Sequence, residues 1–593
     1  MTLKERLINK PMPVGVSEFA KTIDMNYYYA DKTLLIKDLL ETKSEVMLFT
    51  RPRRFGKTLN MTMLRTFFEK PMDGKDTSHY FKDLKIWQAG KQFRAEQGKR
   101  PVIYITFKDE KETDFNVLMK KIEIRMFDEF GRHSEIFNSS KLSDIEKKQA
   151  NTLLENINDR AVLAESIRSL SILLERHHGV KPVILIDEYD VPIQAGFDYG
   201  FYQEIISFMR NFLSAAFKDN PSLHMGVITG VSRVSKESLF SGLNNIKVNT
   251  IFDNKFSEYF GITPEEVQQM LEFYGVPEKY AEVKHWYDGY IFGKREMYNP
   301  WSLINYMSNE CDPQDYWTGT SSNAMLWELI ESMDTEDKKM LQSLLKGGRI
   351  TANVNMNIVY PEIMNDPTSA YGLLVQTGYL KARNSTFGEG VYTAELTIPN
   401  KEIQSVYAKQ VIKHINDRLS RYAANNLNSY IFFGDTERMQ RELNNFLQFS
   451  CSYLDLTEEK DYQNLMLGLI STMRHVYEIK ANREAGTGRA DILLRPRAEF
   501  INQGKMPGII IELKHYKAAQ SEKEDKDILK AKLEELAKDA LEQIDKKNYA
   551  IEFTSVGVKK VVKYGAAFSG KTAVVMQPEG QTPPEPDPSA EWG

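Results

Sequence analysis

The sequence predicts a multidomain α/β protein: a parallel sheet with flanking helices first, then a mainly helical middle region, then a second and smaller α/β unit. Three observations predict it. Short, strongly apolar runs alternate with helical stretches between Glu45 and Phe260. From Thr263 to Met340 the pattern turns helical and rich in aromatics, and near Leu454 a new series of helix, strands and long charged helix begins. The length of 593 residues agrees, at about 100 to 200 residues per domain.

Taken in order, Glu45–Thr50 reads as a buried strand, and Leu59, Met63, Leu64, Phe67 and Phe68 fall near one face of the helix after it. PVIYITF from Pro101, PVILIDEYD from Pro182 and HMGVITGVSR from His224 are further strands, and a fifth is expected within Ile251–Phe260. Thr263 with Glu266 three residues on forms a capping pair that starts a helix. YGLLVQTGYLKA from Tyr371 and VYTAELTIPN from Val391 read as a helix end followed by a β-hairpin, the pattern of a small winged-helix module. After Leu454 come a helix (YQNLMLGLIST), the strands VYEIKANRE, ADILLRP and GIIIELKHY, and a charged helix over about Ser521–Asp545. The final QPEGQTPPEPDPSAEWG is rich in proline and acid and is expected to be a disordered tail.

Composition narrows the function classes. The formal net charge is −5, so a nucleic-acid surface must be a local patch. Cys311 and Cys451 are the two cysteines and form neither a metal-binding spacing nor a disulfide framework; both are expected to be small buried hydrophobes. No run approaches the roughly 20 apolar residues that span a bilayer, and no secretory leader is seen, so a cytoplasmic protein without membrane contact is expected. His177 and His178 read as surface residues.

The first chemical constellation begins at RPRRFGKTLN, residues 51–60. Gly56-Lys57-Thr58 ends as a phosphate-binding P-loop ends, G-x-x-x-x-G-K-[ST], but Arg51 stands where that pattern has its first glycine. Backbone N–H groups and the helix N-terminus point at phosphate oxygens in such a loop. Lysine reaches the outer phosphates and the Ser/Thr hydroxyl helps hold Mg²⁺. Arg51, Arg53 and Arg54 keep the loop cationic. Downstream, Ile184-Leu185-Ile186 ends in Asp187-Glu188, a Walker B arrangement: Asp187 orients Mg²⁺ and Glu188 polarises the attacking water as general base. Arg233, just past the fourth strand, is placed to sense the outermost phosphate, the alternative being an exposed surface arginine.

The second constellation is GRADILLRP with IIIELKHYK. Asp491 opens one strand, and Glu512 and Lys514 share a face of the next. An acid from each of two adjacent strands can grip one Mg²⁺, and the lysine can orient water or stabilise charge on a phosphate. Ile509, Ile510 and Ile511 make the second strand a buried one, where a charged pair needs a reason. Glu459 could add an acid, and Gln543, Lys547 and Tyr549 could reach the same site.

YYADKTLLI, RPRRFGKTLN, VILIDEYDVPI, TGVSRVSKESLFSGLNNI and WYDGYIFG with YNPWSL resemble the AAA-ATPase-like family of bacterial proteins. In that family the loop is typically written Arg-Pro-Arg-Arg-Phe-Gly-Lys, so the missing glycine is a family feature. The resemblance implies ATP binding, with Lys57, Thr58, Asp187 and Glu188 carried over; Arg54, Phe55, Gly56 and Arg233 complete the candidate nucleotide-binding set, with Mg²⁺ expected at Thr58 and Asp187. NREAGTGRADILL and IIIELKHYK resemble the PD-(D/E)XK nuclease superfamily, which implies an αβββα-type domain with Asp491 and Glu512 on the metal, Lys514 beside them, and Glu459 and Gln543 as accessory residues. Gln463 departs from a histidine common among such relatives. The boundaries expected are a P-loop domain over 5–262, a helical lid over 263–340, a helical and winged-helix-like region over 341–453, a nuclease-like domain over 454–572 and a tail over 573–593. The expectation is an ATP-binding protein coupled to a Mg²⁺-dependent nuclease, with DNA ahead of RNA as partner and a homo-oligomer in keeping with related ATPases. A nucleotide-gated nucleic-acid binder without cleavage, or an ATPase acting on a protein partner, is the alternative.

Overall fold

The computed structural model describes residues 2–71, 74–218, 220–234, 239, 244–317, 343–344, 347–358, 360–363, 366–407, 427–450, 458–485, 487–501, 506–518 and 526–581. The chain divides into two compact units, Met1–Val406 and Tyr407–Gly593. Cys451, the expected tail beyond residue 581 and the whole of the expected lid after Trp317 lie outside the described residues. No helix among the described residues is long and apolar enough to cross a membrane.

The first unit is built on a five-stranded parallel sheet of β1 (Val46–Thr50), β2 (Val102–Thr106), β3 (Val183–Asp187), β4 (Met225–Gly230) and β6 (Ile246–Asn249), in the order β2-β3-β4-β1-β6. Every residue of β1, β3 and β4 is buried, which is why these strands read as continuous apolar runs. The order sets β4 between β1 and β3, so the loops leaving β1 and β3 converge at the carboxyl end of the sheet, where such sheets bind ligands. Edge strand β2 is capped by side chains: Glu129 Oε1 accepts from Tyr104 N at 2.8 Å, and Arg132 donates to the Val102 carbonyl.

The fifth strand is Ile246–Asn249, ahead of the Ile251–Phe260 segment where the sequence places it. That segment is turns, with Phe256 at φ 63°. Its apolar character reflects packing: Phe256 and Phe260 close over Phe49 of β1 with ring centroids 5.2 and 5.0 Å away. The true strand is an edge strand with only Asn249 fully buried, so it shows little apolar pattern.

Beyond the sheet, Thr263 and Glu266 form the expected capping box on helix Pro264–Tyr274, followed by helices Tyr280–Tyr287 and Pro300–Ser308 around the hairpin β7 (Tyr290–Phe292) and β8 (Arg295–Met297). The expected helix and hairpin are helix Pro367–Thr377 and strands β11 (Lys381–Gly388) and β12 (Val391–Thr397). A strand the sequence reading lacks, β9 (Ile350–Val354), completes a sheet in the order β11-β12-β9. The short β5 (Arg233–Val234) pairs in parallel with β10 (Asn357–Ile358).

The second unit carries a five-stranded mixed sheet in the order β13-β14-β15-β16-β17: β13 (Tyr477–Ala485), β14 (Gly488–Pro496), β15 (Gly508–His515), β16 (Val561–Ser569) and β17 (Thr572–Met576). The first three are the expected strands; β16 and β17 follow the charged helix, here Lys526–Lys546, and extend the sheet beyond the three strands the sequence reading expects. Helix Thr436–Ser450 covers edge strand β17, where Asn444 bonds both the N–H (2.8 Å) and the carbonyl (2.9 Å) of Ala573. At Gly565 of β16 a Cβ would lie 2.1 Å from the Ala537 carbonyl oxygen, so only glycine lets the long helix sit this close to the sheet.

Candidate functional site

At the end of β1 the chain turns through residues 51–56 into helix Lys57–Phe68. Gly56 sits at φ 77° and Arg54 at φ 67°, the left-handed backbone that presents N–H groups toward one point. The loop's arginines are individually anchored by neighbouring acceptors. Arg51 is fully buried; its guanidinium donates to the Thr50 carbonyl (2.8 Å), the Asn249 carbonyl (3.0 Å) and Asn249 Oδ1 (2.6 Å) and lies over Phe260 and Phe292. Burial pulls its pKa down to about 9, so it remains a cation at neutral pH. Arg53 donates to Gln194 Oε1 at 2.8 Å. Arg54 reaches the carbonyls of Tyr316 and Trp317 and covers the Trp301 ring at 4.6 Å. Phe55 is buried between Tyr290 and Phe292, leaving only its backbone to face a ligand.

Lys57 is buried, and its Nζ donates to the carbonyls of Arg51 (3.1 Å) and Pro52 (3.0 Å). Burial lowers its pKa, opposed by the carboxylates of Glu188, Asp190 and Asp187. Thr58 Oγ1 donates directly to Asp187 Oδ2 at 2.8 Å, so the two motifs, far apart in sequence, meet in one hydrogen bond. Asp187 is fully buried and also accepts from Thr106 at 3.3 Å and from Thr229. A carboxylate ringed by hydroxyl oxygens is a hard-oxygen donor set suited to Mg²⁺. Glu188 takes φ 54°, an uncommon conformation for a residue with a side chain, and burial raises its pKa. Asp190 is structural: its Oδ2 accepts the N–H groups of Val231 (2.8 Å) and Ser232 (2.9 Å). Arg233 is half-buried on β5, its N–H donating to Gln376 Oε1 at 3.3 Å and its Nε without a hydrogen-bond partner. A small apolar pocket beside Gly56 is lined by Tyr28, Tyr29, Leu59, Ile262 and Met270 among others.

In the second unit, β14 and β15 run antiparallel with Ile492 opposite Ile511, and this register brings Asp491 and Glu512 together. Asp491 Oδ2 accepts the Leu513 N–H at 2.8 Å, and Glu512 Oε2 accepts the Asp491 N–H at 3.3 Å. Glu512 is 1% exposed; burial first and the Asp491 charge second push its pKa up to about 7. Asp491 is also raised by burial. Lys514 Nζ lies 3.8 Å from Glu512 Oε1 and donates to Gln543 Oε1 at 2.9 Å, while Gln543 Nε2 donates to Glu512 Oε1. One amide thus bridges the acid and the lysine. Glu459, at the start of helix Glu459–Leu469, is exposed and raises both carboxyl pKa values through its charge.

No group of three or more His, Cys, Asp or Glu that could hold a metal occurs among the described residues. Two carboxylates suffice for Mg²⁺, which keeps most of its waters, and two crowded, buried carboxylates are a pair that a cation would relieve. His177 and His178 are half-buried and bonded to Ser139 (2.7 Å) and Glu135 (3.2 Å), a structural role where the sequence suggests a surface one. His515 stacks on Tyr462, away from Lys514.

Residues 13–240 match the family described as Predicted AAA-ATPase, and residues 457–578 match the PD-(D/E)XK nuclease superfamily. The chain joins an AAA-ATPase-like domain to a PD-(D/E)XK nuclease domain. It is also 29% identical over 328 residues to a protein of Azotobacter chroococcum mcd 1 named for its place in the vnfD 5' region; the match spans 54% of this chain and 56% of that relative's length. Within the nuclease domain, sequence reasoning missed the role of Gln463. It sits where a histidine was expected, is buried, and donates to the Asp491 carbonyl at 2.8 Å. Tyr549, 3.3 Å from Gln543 Nε2, donates to the Arg489 carbonyl at 2.8 Å and props the bridging amide. In the AAA-ATPase-like domain, Thr229 joins Asp187 as an unexpected partner; its place at the end of β4, the strand beside β3, is the signal that could have found it.

Proposed function

We propose that this protein binds ATP with Mg²⁺ in its AAA-ATPase-like domain and cleaves nucleic-acid phosphodiesters in its nuclease domain, DNA ahead of RNA. The observation that carries the reading is the convergence of Asp491, Glu512 and Lys514 under the single Gln543 amide. Mg²⁺, when bound by Asp491 and Glu512, supplies charge neutralisation and activates water. Lys514, held in place by Gln543, puts a positive charge beside the reacting phosphate. Burial and the Asp491 charge raise the Glu512 pKa to about 7 in the metal-free site, and a bound cation would favour its carboxylate form.

In the other domain, the loop N–H groups and Lys57 receive phosphates. Thr58 and Asp187 would hold the metal, the raised pKa of Glu188 suits a general base, and Arg233 with its unpartnered Nε is the candidate sensor. The apolar pocket beside Gly56 suits the base. The test is a panel of single- and double-stranded DNA and RNA incubated with Mg²⁺, with and without ATP. Wild type should cut at least one substrate, and Asp491→Asn and Lys514→Ala should lower the rate by at least 100-fold, on the scale of a lost transition-state contact. Cleavage that survives both substitutions defeats the nuclease assignment.

A further inference from the structure

The three-stranded sheet of the first unit carries a groove that the nucleotide site does not use. It has a volume of about 750 Å³ and lies among hairpin β11–β12, hairpin β7–β8 and the turn after β6. Three aromatic rings form a step along it. Phe252 and Tyr392 stack with centroids 4.1 Å apart and planes within 12°. Phe387, opposite Tyr392 across the hairpin, packs on it at 4.9 Å with the ring planes tilted by 57°. The outer end of this step is open: Phe387 is 67% exposed. Its aim is set by an irregularity in β11, where the register skips between Arg383 and Thr386 and Asn384 takes φ 50°; such bulges re-aim side chains. A ring this exposed contributes little to folding.

The rim carries three cations, Lys294, Arg349 and Arg383, and two acids, Glu296 and Glu395. Arg383 pairs with Glu296 at 3.6 Å and Arg349 with Glu395 at 3.2 Å, so both acids are neutralised. Lys294 has no ion-pair partner among the described residues, which leaves the lining with a surplus positive charge. A guanidinium has five N–H donors and keeps some of them for another acceptor.

We propose that this groove holds a single strand of nucleic acid, with a base stacked on Phe387 and phosphates against Lys294, Arg349 and Arg383. Exposed aromatic rings beside cationic side chains are a means by which strands are held without regard to sequence. A duplex hides its base faces and cannot use such a step. An apolar peptide would want aliphatic walls, whereas this groove is bordered by Asn254, Asn384 and Ser385 as well as its charges. The proposal rests on the reading of the chain as acting on nucleic acid, and it adds a substrate-holding surface outside the nuclease domain.

The test uses the full chain carrying Glu512→Gln, without Mg²⁺, and a fluorescein-labelled oligodeoxythymidylate followed by anisotropy. The RNA strand of the same length and the corresponding duplex serve as comparisons. Phe387→Ala should weaken single-strand binding by about 10-fold or more, Phe387→Trp should retain it, and duplex binding should not change. Arg383→Ala should reduce the slope of log affinity against log salt by about one. A 2-aminopurine in the strand should be quenched by wild type and not by Phe387→Ala. Unchanged affinity and quenching in Phe387→Ala overturn the proposal. So does a change of self-association in Phe387→Ala with strand binding intact, which would mean that the ring seats a second copy. Failure here is distinct from failure of the nuclease reading, because cleavage by wild type is measured separately from strand binding by the Phe387→Ala protein.

Discussion

Arg51 shows how a buried side chain can stand where a loop pattern commonly has glycine. Where the common pattern has glycine, this side chain turns away from the loop, satisfies the end of β6 through Asn249 and lies between two phenylalanine rings. Restoring the common residue with Arg51→Gly should therefore harm the protein: three carbonyl or amide acceptors lose their donor, and the expected loss is about 3–5 kcal/mol, read by urea denaturation. Glu512 gives a second residue-scale expectation. Its folded-state pKa of about 7 lies above the ordinary carboxyl value. Below pH ~4.5 both folded and unfolded states hold the proton and nothing is lost. As pH rises from there to about 7 the unfolded state ionises first, so stability falls across that window and stays lower above it. In metal-free protein Glu512→Gln should remove this fall and raise stability at pH 8 by on the order of 2–3 kcal/mol, with little change at pH 4.5. Thermal melts at the two values check it, and Mg²⁺ should narrow the gap by stabilising only the wild type.

At the scale of elements, the nuclease site depends on how closely a helix meets a sheet. Gln543 reaches Glu512 and Lys514 because helix Lys526–Lys546 lies against Gly565, the residue paired with Glu512 across β15 and β16. Gly565→Ala puts a methyl group against the Ala537 carbonyl and the Leu541 side chain. The expected result is a loss of about 1–3 kcal/mol together with a fall in cleavage rate, since the helix must move away with its amide. Denaturation and single-turnover cleavage read the two effects, and an unchanged cleavage rate would show that the amide is dispensable. One edge of each large sheet is finished by side chains, Glu129 and Arg132 on β2 and Asn444 on β17, which pair backbone groups that an edge strand would otherwise expose.

At the scale of the molecule, the chain forms two compact units, and on the proposed function nucleotide binding should register in the first of them. ATP with Mg²⁺ at 100 times its dissociation constant should stabilise the first unit by about 2.7 kcal/mol. Two calorimetric transitions are expected, with only the one that contains the P-loop moving. Lys57→Ala should abolish that movement. If both transitions move together, nucleotide binding is coupled to the nuclease domain, and the same comparison with Lys57→Ala measures the coupling.

The sequence by itself located the buried strands β1 to β4 along the chain, through apolar runs and a glycine before a helix. It pointed to Lys57, Thr58, Asp187 and Glu188 as one candidate constellation and to Asp491, Glu512 and Lys514 as another, through alternation along a strand together with the family resemblances. Tertiary structure alone decided where Arg51 points, that the fifth strand is Ile246–Asn249, that Gln463 supports Asp491, and that two further strands complete the second sheet. The physical reason is the same in each case. An edge strand or a polar side chain acquires its role from partners distant in the chain, and neither its propensity nor its spacing carries that information.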